Sequence, residues 1–436
     1  MTDAQPPVPA LRAMRWRIAI LLCLVTAISY VDRQALSVAA PVVRAEFHLS
    51  NVQYGWITYA FLMAYALGQV ALGPLIDRLG TKRSFTLAVV WWSVAAMLHA
   101  LGRGFLGFFS LRAMLGLTEA ANFPAALKAV AEWFPRHERS LATGIVTAGT
   151  GIGAIVAPPL VGLLIHFYGW QAAFLVPGAV GFLWVLAWKR WFDLPETHRS
   201  IDPAERAYIL EGRAAAPGAK FAGRWRDYLG RRETWGLILA RFTGDGAFYF
   251  FAFWLPNYLH SERGFDIVRI AWVAALPFVA ADLGALFGGW LGGRLIARGA
   301  SLDAARKRVI WLGALLVPVA MPAVFVESPY AAVLLVSAAL FAIQVKSSSL
   351  FAVPMDLFPA RDVASVWGLS GAAGSLAAAF AQPFIGWLID NYSYTPVFAI
   401  VSLMHIASAL AVTLLIPRIG PLGVAGPAAV DEGGAR

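Results

Sequence analysis

Thiols are almost absent: of 436 residues only Cys23 carries one, and it falls inside the first long apolar run. An intramolecular disulfide is excluded, and so is a metal site built on several thiolates. Charge is scarce too, at 14% of residues where soluble domains carry roughly 25%. The sequence also lacks a phosphate-cradling loop with its Gly-Lys-Ser/Thr ending, a His spacing that would ligate a metal, and any polar region long enough to fold alone. No cofactor and no metal are expected, which argues against a nucleotide-driven or metal-dependent enzyme.

What is present is apolar. Hydrophobic residues make up 59% of the chain, so lipid is expected to solvate most of it. A spanning helix needs about 20 mostly apolar residues. Such runs are expected at 17–43, 51–75, 84–101, 105–131, 139–165, 170–191, 235–260, 270–293, 309–326, 331–353, 363–389 and 396–416. They fall into two groups of six. The predicted organisation is a tail over 1–16, a six-helix bundle over 17–191, a polar linker over 192–234, a second bundle over 235–416 and a tail over 417–436. Met1 to Arg17 is polar and no small-residue cleavage site follows, so the first run reads as a retained helix.

The net charge of +10 does not point to nucleic acid, because the basic residues sit between apolar runs and form no single face. Most of the 35, among them Arg12, Arg15, Arg139, Arg224, Arg231, Arg306 and Lys307, fall on the N-terminal side; Arg44, Arg103, Arg263 and Arg269 fall opposite. The basic side is the cytoplasmic one, which places both termini and the linker there. At an offset of 224, Glu132-Trp-Phe-Pro135-Arg-His-Glu138, Gly144, Pro159 and Gly162 recur as Asp356-Leu-Phe-Pro359-Ala-Arg-Asp362, Gly368, Pro383 and Gly386. Six helices were duplicated. A parallel repeat predicts a substrate cavity between the halves that opens alternately to either side.

Charges inside the spans are costly and mark function by default. Asp32 and Arg33 lie about 15 Å deep in the first span, taking 1.5 Å per residue. Arg112 and Glu119 are two turns apart on one face of the fourth, with Asn122 a turn further on. Arginine offers an organic anion a planar, bidentate cation, and a carboxylate nearby that gains and loses a proton supplies coupling. Ion pairs that only hold helices together are the other reading. Tyr65 is placed to bond a substrate hydroxyl or to join helices. Gln344, Lys346 and Ser347 to Ser349 form a polar patch in the tenth span, where Lys346 either meets a substrate carboxylate or snorkels to the cytoplasm. Arg241 and Asp245, four apart, read as a neutralising pair. Gly73-Pro-Leu-Ile-Asp77-Arg78-Leu-Gly80-Thr-Lys82-Arg83 joins the second and third spans and reads as a gate latch.

That loop resembles the signature loop of the major facilitator superfamily. Tyr30-Val31-Asp32-Arg33, Arg112 to Glu119 and Glu132-Trp-Phe-Pro135 resemble its anion:cation symporter family, over roughly Arg17 to Arg418. The resemblance implies an all-α membrane protein of twelve transmembrane helices in two pseudo-symmetric halves. It also implies a proton-coupled symporter of a hexuronate or aldonate in a bacterial inner membrane, acting as a monomer. Arg33, Arg112, Tyr65 and Tyr30 match substrate-site positions, and Asp32 and Glu119 match proton-titrating carboxylates. Lys346 stands where that branch has an aromatic residue, Ser349 where it has an amide and Gly293 where an acid can occur; an added cation would favour a second carboxylate. A carrier of a dicarboxylate or aromatic acid and a non-transporting membrane receptor are the alternatives.

Overall fold

The computed structural model describes residues 14–135, 138–214, 228–358 and 360–420, with the side chains at 70, 73, 74, 77, 139–141, 211–214 and 360–365 outside that description. The first half comprises α1 (Met14–Phe47), α2 (Asn51–Leu79), α3 (Thr81–Leu98), α4 (Gly104–Glu119), α5 (Asn122–Trp133), α6 (Arg139–Tyr168) and α7 (Ala172–Trp191), followed by α8 (Pro203–Ala214). The second comprises α9 (Arg232–Ser261), α10 (Ile267–Val273), α11 (Leu276–Ala297) and α12 (Leu302–Leu316), which a 3-10 segment extends over Val317–Val324. It continues with α13 (Pro329–Leu350), α14 (Val353–Leu357), α15 (Ala360–Asn391) and α16 (Tyr394–Leu415). No strand occurs among the described residues. Nine helical segments there are long and apolar enough to cross a membrane by composition alone. The remaining expected spans, in α2, α4–α5 and α9, run among them.

Three spans expected to be continuous are broken. The fourth divides between α4 and α5, the eighth between α10 and α11, and the tenth between α13 and α14. Each break has a proline just beyond it: Pro124, Pro277 and Pro354. A proline donates no amide hydrogen and its ring clashes with the carbonyl four residues back, here at 120, 273 and 350. The helices end at 119, 273 and 350. The linker is also more than a polar stretch, because α8 is tied to the first half. Glu205 accepts from the amides of Met14 and Arg15 at 2.9 and 3.1 Å, capping the start of α1, while the Arg15 guanidinium reaches Glu138 at 2.8 Å.

The two halves pack alike. In the first, α1 lies on α6, α2 on α4 and α3 on α7; in the second, α9 lies on α15, α11 on α13 and α12 on α16. Glycine permits the closest of these approaches: a side-chain carbon on Gly116 of α4 would strike the carbonyl of Phe61 on α2, and one on Gly284 of α11 would strike that of Phe341 on α13. Between the halves, α2 meets α15, α6 meets α10 and α11, and α1 meets α9.

Hydrogen bonds between the halves gather at the end of the bundle that carries the turn from α1 to α2. Asn257 is buried there and bonds Arg44 Nη1 at 2.7 Å, Tyr394 Oη at 2.6 Å and Asn51 Oδ1 at 3.3 Å. Asp390 accepts from the Asn51 amide and side chain and from the Val52 amide at 2.7–3.1 Å, at the first turn of α2. Deeper in, Ser37 Oγ donates to Ala252 O at 2.8 Å and Tyr54 Oη to Phe253 O at 2.7 Å.

Candidate functional site

Arg33 projects from the middle of α1 into a ring of aromatic faces. Its guanidinium lies 4.6 Å from the Tyr30 ring centre, 4.7 Å from Tyr65 and 5.0 Å from Phe61. An aromatic face stabilises a desolvated cation by roughly 2 kcal/mol, so three of them help to hold a charge that lipid would not. Its Nη2 and Nε donate to Glu119 Oε2 at 3.1 and 3.3 Å. Arg112, two turns from Glu119 on α4, donates through Nη2 to the backbone carbonyl of Arg33 at 3.0 Å. Both α4 groups therefore converge on Arg33, one on its side chain and one on its backbone.

The pairing differs from the one that sequence proximity favours. Asp32 does not pair with Arg33, because neighbours along a helix point about 100° apart. It is 2% exposed, lies within electrostatic range of Glu119 and Arg112, and neither carboxylate oxygen has a hydrogen-bond partner among the described residues. Arg112 Nε and Nη1, Glu119 Oε1 and Asn122 Oδ1 are also buried without one among those residues. Unmet donors and acceptors this dense are expensive in a fold and fit a site whose ligand completes them.

The second half faces this cluster with aromatic and charged groups. The rings of Phe61 and Phe253 lie 6.4 Å apart across the halves, and Tyr249 stacks on Phe253 at 5.9 Å. Arg241 Nε and Nη2 each reach Asp245 Oδ2 at 2.8 Å, forming the expected pair. Lys346 does not snorkel to a membrane surface: at 1% exposed it is enclosed between α13, α9 and α16, its Nζ 2.6 Å from Ser408 Oγ and 3.2 Å from His405 Nδ1. A Cβ at position 244 would lie 2.6 Å from that Nζ, so Gly244 makes the space that keeps it inside. Gln344 is half-buried two residues before Lys346 on α13. An apolar cleft of about 410 Å³ on the flank of α1, α6 and α7 includes none of these charges. No three His, Cys, Asp or Glu side chains gather as a metal site among the described residues.

Residues 22–302 match the family model of the Major Facilitator Superfamily. The chain belongs to that superfamily. It is 34% identical over 420 residues to the hexuronate transporter of Escherichia coli (strain K12), covering 95% of this chain and 97% of that one. It is 35% identical to the galacturonate transporter of Dickeya chrysanthemi, over 74% of this chain and 94% of the other. Among solved structures it resembles a bacterial homologue of the human lysosomal transporter Spinster, inward-facing and occupied, with a TM-score of 0.73 at 17% identity, over 92% and 95% of the two chains. That likeness concerns the fold. This facilitator is a multi-pass membrane transporter and not an enzyme.

The signature loop of the facilitator sits at the end away from the inter-half hydrogen bonds. The side chains of Gly73 and Asp77 lie outside the described ones. Arg78 and Arg83 are exposed, and Gly80 ends α2 at φ +76°, a backbone region that glycine enters without strain. Lys82 reaches Asp193 at 2.6 Å and Thr81 donates to Glu132 at 2.8 Å, which ties the loop to the ends of α7 and α5.

Two features escape the sequence reading. Tyr249 lies within electrostatic range of Arg33, Tyr65, Asp245 and Arg241, and so links the two charged clusters. Its signal is helical spacing, four residues from Asp245 and eight from Arg241. His405 and Ser408 share a face of an otherwise apolar α16, three residues apart, and their partner Lys346 is 62 positions away from Ser408 in sequence.

Proposed function

We propose that this facilitator is a proton-coupled symporter of a sugar acid, a hexuronate or aldonate, moved by rocking of the two six-helix halves about a central site. The observation that carries the reading is the Arg33–Glu119 pair in its aromatic ring, with Asp32 buried beside it and without a hydrogen-bond partner among the described residues. While Glu119 is ionised it occupies the Arg33 fork. A proton on Glu119 weakens that pair and frees Nε and Nη2, which now share one Glu119 oxygen, to take the two oxygens of a substrate carboxylate. Arg112 fixes the backbone beneath Arg33 and offers two further donors. Tyr30 and Tyr65 line the same cation, Gln344 acts from the second half, Lys346 acts there through the charges around it without touching a mono-acid substrate, and Asp32 holds a second transferable proton. The sugar-acid transporters among the relatives support the substrate class.

The positive-inside pattern supports cytoplasmic termini in a bacterial inner membrane. The hydrogen-bonded end is then periplasmic, the signature loop acts as a cytoplasmic latch, and substrate and protons enter and leave a monomer. The test is uptake of labelled glucuronate, galacturonate, galactonate, dicarboxylates and aromatic acids into proteoliposomes, with and without an inward proton gradient. Accumulation of a sugar acid that requires the gradient is expected. Uptake of aromatic acids or simple dicarboxylates alone would replace the substrate class, and accumulation indifferent to the gradient would remove the proton.

A further inference from the structure

Asp245 lies between two cations. Arg241, one turn away on α9, holds it directly, whereas Lys346 on α13 lies within electrostatic range without touching it. The Lys346 ammonium rests on Ser408 and His405; it has donors only, so the imidazole accepts at Nδ1. No carboxylate contacts it among the described residues, which is a costly way to keep a cation in a bilayer unless the charge has somewhere to go. Arg241 is the better anion ligand of the two. Its guanidinium lies against the paired rings of Phe351 and Trp367 at 5.0 and 4.8 Å, and its Nη1 is buried with no hydrogen-bond partner among the described residues. Glycines keep the surroundings clear: a Cβ on Gly371 of α15 would lie 2.9 Å from Nη1, and one on Gly374 would strike the Asp245 carboxylate.

We propose that Arg241 is a second anion-binding group, in the second half, released to a ligand carboxylate when Lys346 takes its place on Asp245. Through the exchange Asp245 always has a cation, Arg241 trades one carboxylate for another, and Lys346 gains the carboxylate contact that it lacks at the start. The flexible stem of lysine suits the moving partner and the planar fork of arginine the fixed one. Arg241 lies about 12 Å along α9 from Tyr249, which faces the Arg33 cluster. A sugar with a carboxylate at both ends therefore meets a guanidinium at each, and aldarates are taken as well as mono-acids. This inference rests on the sugar-acid reading above.

The experiment is competition in proteoliposomes: labelled galacturonate uptake inhibited by galactarate, a diacid, or galactonate, a mono-acid. Both compete with the wild type. Arg241→Gln raises the half-inhibiting galactarate concentration about tenfold and leaves that of galactonate within about twofold. Lys346→Met has the same selective effect, because Asp245 then retains Arg241. Combining Lys346→Met with Asp245→Asn restores galactarate, since nothing holds Arg241 back, and a packing role for Lys346 predicts no such recovery. If Arg241→Gln does not insert, Arg241→Lys is read in its place, with the same selective loss expected and unchanged competition counting against the proposal. Equal loss of both inhibitors, no recovery in the double variant, or galacturonate uptake that galactarate does not inhibit overturns this proposal alone; a wild type that takes up no sugar acid overturns the sugar-acid reading with it.

Discussion

At the scale of single residues, the Arg33–Glu119 pair makes a prediction that separates coupling from binding. Removing one partner of a buried ion pair costs about 3–5 kcal/mol when a charge is stranded. Glu119→Gln strands less, because the amide oxygen still accepts from Arg33 while the neutral side chain mimics the protonated acid. Counterflow exchange of a sugar acid across proteoliposomes should persist in this variant, and gradient-driven accumulation should be lost; loss of both would make Glu119 structural. The sequence announces these residues because charge in an apolar run is conspicuous. It does not announce who pairs with whom. Asp32 and Arg33 are adjacent and Arg112 and Glu119 share a helix face, yet the contact that forms joins α1 to α4 across 86 positions. Lys346 is the sharper case, since its inward course depends on the missing side chain of Gly244, on another helix.

At the scale of helices, the positions of the runs are legible from apolar length, but their continuity is not. Pro124, Pro277 and Pro354 break helices, whereas Pro41, Pro158, Pro159, Pro177, Pro256 and Pro383 lie inside continuous ones. The same residue type gives both outcomes because neighbouring helices can satisfy a freed carbonyl, and sequence does not reveal the neighbour. Close packing is similarly hidden, and glycine substitutions expose it. Gly116→Ala drives a carbon into the Phe61 backbone, which cannot rotate away, and should destabilise the protein by about 1–3 kcal/mol. Gly144→Ala, in α6 with nothing within 4 Å of the new carbon, should stabilise by up to about 1 kcal/mol. Thermal unfolding of the two variants in detergent reads the difference, and shifts of the same sign would show that the α2–α4 seam has room for the added carbon.

At the scale of the whole molecule, the repeat places matching seams on both sides of one axis, α2 against α15 and α6 against α10 and α11, so the halves can rock without either unfolding. Which end is open then depends on the contacts that each end breaks. At the hydrogen-bonded end the hub is Asn257, a neutral amide that joins Arg44 and Asn51 of one half to Tyr394 of the other. A neutral hub can be released in each cycle; a charged one would hold. In Asn257→Asp the carboxylate faces Arg44, Tyr394 Oη can reverse its role and donate, and only the long 3.3 Å bond to Asn51 Oδ1 is given up. Charge-assisted bonds are roughly twice as strong as neutral ones, which favours the closed end by about 1–2 kcal/mol and shifts the population about tenfold. Asn257→Ala removes the hub and shifts it the other way. Spin labels on Ala45→Cys and Glu262→Cys, both exposed positions near that end, report the opening by pulsed dipolar distances in a Cys23→Ala background. The aspartate variant should show a single short distance with slowed exchange, and the alanine variant a longer component. Identical distributions in the two would mean that the seal is carried by Asp390 and the apolar packing beneath it, with Asn257 only filling space.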